Sequence, residues 1–109
     1  MPARLRQLPA EALATADDRA LTKHYLAVLA ERAPGKSVEV RVPPYAAVQC
    51  IEGVRHTRGT PPAVIETDPG TWLALARGEL DWTAAVTSGH VRASGERTDL
   101  SSYLPLEDR

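Results

Sequence analysis

The side chains that could do chemistry in this chain are few, and their spacing limits what they could do. The sequence has one cysteine, Cys50, and three histidines, His24, His56 and His90. A lone thiol closes no internal disulfide and supplies no paired zinc thiolates, and the histidines stand too far apart in sequence for a His-x-x-His pair. Cys50 falls in the most apolar stretch of chain, where a thiol is ordinarily a small buried hydrophobe, and no neighbour in sequence offers an activating base. His24 sits beside Tyr25 within a helical pattern, as either a surface or a satisfied boundary residue. His90 follows Gly89 and is expected to help end a helix rather than move protons. Asp17-Asp18, Asp68, Asp81 and Asp99 all stand where helices begin, so their carboxylates are expected to cap helices rather than form an acid–base pair. There is no Gly-rich phosphate loop and no hydrolase elbow. These observations predict a protein without catalytic residues, metal or cofactor.

The cationic groups offer a second chemistry. Eleven of the thirteen basic residues are Arg, the side chain suited to bidentate recognition of anions. Arg41, Arg55, His56, Arg58 and Arg92 are the candidates for a polar rim. If the strands carrying them are neighbours, they hold a carboxylate or phosphate by charge-assisted hydrogen bonds. In the alternative they form a solvated edge paired with Glu39, Glu52 or Glu66. Within a strand Arg55 and His56 point to opposite faces, and Arg58 shares the face of His56. The formal net charge of −1 supplies no global attraction for a phosphate backbone, so nucleic acid is not an expected partner.

These groups must be positioned by elements that the sequence pattern outlines. Residues 1–14 read as a loose N-terminal lead-in, with an extra helical turn allowed near Ala10–Ala14. Residues 15–109 read as one domain. Leu21, Tyr25, Val28 and Leu29 repeat at helical spacing, predicting a helix over 16–33 with Thr15 as N-cap and Pro34-Gly35 as stop. The period then changes to two. Val38, Val40 and Val42 alternate with Glu39 and Arg41 as a half-buried strand, and Pro43-Pro44 interrupts it. Tyr45–Ile51 is apolar on both faces except at Gln49 and reads as a more central strand. Arg55–Arg58 and Ala63–Thr67 read as the third and fourth.

The clearest local grammar lies in residues 68–97. Asp68 precedes Pro69, which is favoured at the first helical position, and Trp72, Leu75 and Ala76 share one side before Gly78. Asp81 repeats the plan, with a stripe of Trp82, Ala85 and Val86 closed by Gly89. His90–Ser94 reads as a strand. Asp99 then caps a short final helix carrying Leu100, Tyr103 and Leu104, which Pro105 stops. At 109 residues with 43% apolar and 25% charged side chains, the chain fits one globular core without staples. It carries no apolar run long enough for a membrane span and no secretory h-region, so stable membrane insertion is not expected and a cytoplasmic location is.

Thr71–Gly95 resembles the C-terminal half of sterol carrier protein 2 domains. The matching steps are Gly78-Glu79-Leu80, Ala85 within the second helix, and Gly89-His90-Val91-Arg92-Ala93-Ser94-Gly95. The whole chain looks most similar to small actinobacterial sterol-carrier-like proteins, through Arg-Val-Pro-Pro at 41–44, Arg-Gly-Thr-Pro-Pro at 58–62 and the Arg-x-Asp-Leu-Ser run at 97–101. The resemblance implies an α+β fold, a curved and largely antiparallel sheet of about five strands with helices over one side. It also implies non-catalytic binding or carriage of a lipid or fatty-acyl ligand in an apolar cavity.

Candidates to line such a cavity are Leu29, Val48, Ile51, Trp72, Leu75, Trp82, Val86 and Leu104, with Leu26 and Leu100 beside them. The competing reading is that these residues simply pack as the core. The protein would then be an interaction module with a filled cavity, meeting a protein partner or a second copy through an apolar face near Tyr45 or Trp82. A third reading, implied by family relatives alone, is an accessory role in thiol-cofactor enzymology.

Overall fold

A computed structural model describes residues 5–53, 62–95 and 98–107. In it the helical pattern of the first half becomes α2 (Asp18–Arg32), preceded by a single turn, α1 (Ala10–Leu13). The N-cap of α2 is Asp17, not Thr15: the Asp17 carboxylate accepts the Ala20 N–H at 2.8 Å. Thr15 instead belongs to the end of α1, its backbone N–H reaching Ala12 O at 3.3 Å. Leu21, Thr22 and every residue from His24 to Leu29 are buried. A helix buried nearly all round must be covered on several sides, and the N-terminal segment, the sheet, the helix at Pro69–Arg77 and the C-terminal tail together supply that cover.

The strands are β1 (Val38–Val42), β2 (Ala46–Cys50), β3 (Ala63–Thr67) and β4 (Val91–Ser94), and the described residues form one mixed sheet in the order β2-β1-β3-β4. Strand β1 pairs antiparallel with β2 and parallel with β3, which pairs antiparallel with β4. Among the described residues the sheet thus has four strands where about five were expected, and the expected strand at Arg55–Arg58 lies outside the described residues. A second correction concerns Tyr45–Ile51. Its strand, β2, lies at the edge of the sheet among the described residues, with Ala47 and Gln49 exposed, while β1 lies inside it with Val38, Val40 and Val42 fully buried. The register puts Val48, Cys50 and Ile65 on the same inner face as those valines.

Between α2 and β1 the chain turns tightly against the end of β2. Ile51 N–H donates to Ala33 O at 2.6 Å, and Ser37 N–H and Oγ–H both reach Ile51 O, at 3.0 and 2.6 Å. Gly35 stands in this turn at φ +150°, and a Cβ there would lie 2.2 Å from Ile51 C. Only glycine fits so close an approach of two backbones.

After β3 come α3 (Pro69–Arg77) and α4 (Trp82–Thr87). Asp68 accepts the Thr71 N–H at 3.0 Å and its hydroxyl at 2.6 Å, while Asp81 accepts the Ala84 N–H at 3.2 Å. Gly78 (φ 77°) and Gly89 (φ 82°) take the left-handed conformation at the two exits. His90 N–H closes the second exit on Ala85 O at 3.0 Å, the helix-ending role expected of it. Val86 departs from its expected stripe. It sits about 100° round the helix from Ala85 and is 39% exposed, because α4 leans inward through Trp82 and Ala85. The expected final helix is one 3₁₀ turn, Ser101–Tyr103, in which Asp99 Oδ1 accepts the Ser101 N–H at 2.8 Å. The tail then docks on α2 and α3: Leu106 and Glu107 N–H both reach Ala76 O, and Arg32 donates to Pro105 O and Leu106 O at 3.1 Å each.

Candidate functional site

Of the side chains expected to line an internal cavity, Leu29, Ile51, Trp72, Leu75 and Trp82 belong to one buried apolar cluster, together with Leu26 and Leu100. Val48 and Leu104 are half-buried against it, and Val86 is exposed. Trp72 is anchored as well as packed, its indole N–H donating to Thr22 O at 3.3 Å. Trp82 is buried and Tyr45 half-buried, so the apolar face expected near either is mostly covered.

The open volume lies elsewhere, on both sides of the N-terminal segment Leu5–Leu8, which crosses α2 between His24 and Glu31. Leu5–Gln7 form one wall of a groove of about 940 Å³ between α2 and the edge strand β2. Ala27, Ala30 and Pro34 line it from the helix side, Ala47, Val48 and Gln49 from the strand. The small side chains at Ala27 and Ala30, one turn apart, lower that surface of α2 and leave room above it. Val48 is the sequence candidate that this groove contains. Arg6 is exposed at its edge, and Gln7 reaches across to hydrogen-bond Glu31. On the other side of the crossing segment, a groove of about 490 Å³ is lined by Leu8, Ala10, Leu13, Val28 and Leu106, with Gln7, His24, Tyr25, Glu31, Arg32 and Glu107 as its polar groups. Both volumes fall in the range of about 300–1,000 Å³ typical of small-molecule sites.

The polar candidates separate. Arg41 and Arg92 lie on the outer face of the sheet, opposite the helices, flanking Glu66 in register from either side. Arg41 is exposed and donates to Glu39 at 2.9 Å, the solvated pairing that was the alternative to an anion site. Glu39 raises its pKa further, by that hydrogen bond and by charge. Neither arginine faces a groove on the helix side. Arg55, His56 and Arg58 lie outside the described residues. A shallow dish of about 320 Å³ adjoins Arg41, between Pro43-Pro44, Tyr45 and Glu66.

His24 is buried, and its Nδ1 accepts the Leu8 N–H at 2.8 Å. Burial also lowers its pKa. Tyr25 donates to Glu107 Oε2 at 3.3 Å, and burial is the main cause of its raised pKa. Cys50 is fully buried, which pushes its thiol up to about 11, far from a nucleophilic thiolate. Among the described residues no group of three or more His, Cys, Asp or Glu side chains could hold a metal ion. No helix among them is long and apolar enough to cross a membrane.

The residues that the sequence reading missed are those of the crossing segment, Leu5 to Leu8, and the small pair Ala27 and Ala30. The available signal was weak: two leucines three apart in a stretch with no sustained period, and an alanine spacing that any helix tolerates. No curated protein matches the chain. The family model described as "Bacterial SCP ortholog" matches residues 14–106, nearly the whole of it. A mixed sheet with helices packed on one side, closed by the capped pair α3 and α4, agrees with that match, and the chain belongs to the sterol carrier protein-like family.

Proposed function

We propose that this protein binds and carries a small apolar or amphipathic lipid or acyl ligand in the cytoplasm, and performs no covalent step. The observation that carries the reading is the groove of about 940 Å³ between α2 and β2, lined by apolar Leu5, Ala27, Ala30 and Val48 together with polar Arg6, Gln7, Glu31 and Gln49, a mixed lining that suits an amphipathic ligand. Burial of an acyl chain there supplies affinity at about 25 cal/mol per Å² of apolar surface removed from water, less the cost of ordering the ligand. Membership of the family supports lipid binding in general terms. The test is fluorescence titration with cis-parinaric acid. Saturable binding by the wild-type chain, weakened at least about tenfold in Val48→Asp with circular dichroism unchanged, is the expected result. Absence of saturable binding to the wild type sinks the proposal.

One observation favours a second reading. Five of the eight expected cavity residues pack within the core, as an interaction module with a filled cavity requires. Sedimentation velocity separates the two readings: a stable homodimer with no lipid uptake supports the module, a lipid-binding monomer the carrier.

A further inference from the structure

The smaller groove contains a donor that the rest of the chain leaves unused. His24 is only 6% exposed, and its Nδ1 accepts the Leu8 backbone N–H. A neutral imidazole that accepts at Nδ1 carries its proton at Nε2, and burial, by lowering the pKa, keeps the ring neutral at physiological pH. Nε2 has no hydrogen-bond partner among the described residues. Nor is it sealed in the interior, since Thr22 Oγ1 is the single fully enclosed side-chain polar atom without a partner among them. Nε2 therefore keeps contact with the surface, and the ring that carries it lines the groove. A mostly buried, oriented donor on a ring that lines an opening of mixed apolar and polar walls is suited to anchor a ligand's polar atom.

We propose that this groove is a second ligand site, in which His24 Nε2–H donates to the oxygen of a neutral amphipathic molecule: an alcohol, amide or ester carbonyl. The apolar part of that molecule lies over Leu8, Leu13, Val28 and Leu106. The head-group class follows from the charges that face His24. Glu31, from α2, accepts the Gln7 amide. Glu107, from the tail, accepts the Tyr25 hydroxyl and stands 4.0 Å from Arg77 Nε. Arg32 turns its guanidinium to the carbonyls of Pro105 and Leu106. An anionic head would meet two carboxylates and a guanidinium already engaged with the tail, whereas a neutral oxygen needs only the imidazole donor. The groove thus discriminates by repulsion as well as attraction.

The inference rests on the carrier reading and adds to it a site and a head-group class. The test is nuclear magnetic resonance of the ¹⁵N-labelled full chain near neutral pH, titrated in parallel with decanol and with decanoate. Decanol is expected to shift the His24 Nε2–H and the amides of Leu8 and Leu106 saturably, and decanoate to do so at least about tenfold more weakly. In His24→Phe, decanol affinity at this groove falls about tenfold, while Val48 and Gln49 in the larger groove respond as in the wild type. Should His24→Phe fail to fold, the wild-type pattern alone decides. Response at Val48 and Gln49 without response at His24 and Leu8 overturns the second site and leaves the carrier reading intact. Equal response to decanoate overturns the head-group class. Silence of both grooves toward both probes removes the carrier reading, and this site with it.

Discussion

Thr22→Val is predicted to stabilise the fold. Thr22 is fully buried on α2, and its Oγ1 has no hydrogen-bond partner. An unsatisfied buried hydroxyl costs about 1–3 kcal/mol, and valine replaces it with a methyl group of nearly the same shape. The two residues have similar helix propensities, so the backbone is indifferent to the exchange. The Trp72 indole is also unaffected, because it donates to the Thr22 backbone carbonyl rather than to the side chain. A gain of about 1 kcal/mol is expected, equivalent to roughly 4–8 °C in Tm for a domain of this size. Thr67→Val provides the control. Thr67 is also buried, but its Oγ1 donates to His90 O at 2.8 Å, so the same chemical change there costs about 1 kcal/mol. Urea unfolding followed by the fluorescence of buried Trp72 and Trp82 measures both. Opposite signs are expected, with unchanged m-values. A loss of stability in Thr22→Val would show that the hydroxyl is partnered and would refute the reasoning.

Three further outcomes follow from the same geometry. Asp68→Ala removes the N-cap of α3 and costs about 1 kcal/mol near neutral pH. The Thr71 hydroxyl, and then its backbone N–H, hold the Asp68 carboxyl below its usual 3.8, so this stability is present above that value and lost as pH falls through the lowered one. The deficit of the variant, read by urea midpoint, therefore shrinks in acid. His24 behaves with the opposite charge and the same direction: its folded pKa lies below the unfolded 6.5, so stability falls as pH drops from 6.5 toward the lowered value and is level above it. Replacement of His24 by Gln flattens that part of the profile. Cys50 resists iodoacetamide at about pH 8 in the native protein and reacts fully in denaturant, as mass spectrometry reads; rapid native labelling would contradict its burial.

What the sequence made legible is largely what neighbouring residues decide among themselves. Asp68, Asp81, Gly78 and Gly89 act on backbone groups within a few positions, and both helices begin and end as their caps require. Strand β1 likewise spans the residues that its alternation marked, and β3 spans the expected Ala63–Thr67. That alternation also contained the fate of Arg41: with Val40 and Val42 facing inward, Arg41 must face outward, away from any cavity under the helices. Strand order was not legible, because whether Tyr45–Ile51 lies at the centre or the edge depends on what pairs beyond it. The choice between Thr15 and Asp17 as cap turned on α1, whose last turn claims Thr15. The grooves were the least legible feature, since they arise where an aperiodic segment crosses α2 and no single segment encodes that crossing.

Native mass spectrometry of the full chain, purified without detergent and then incubated with an extract of cellular lipids, is the sharpest test of the proposed lipid carriage and reports subunit number in the same spectrum. A carrier retains a lipid adduct on the folded chain, lost on denaturation and reduced in Val48→Asp. A spectrum holding only the bare chain mass, before and after incubation, would contradict that carriage.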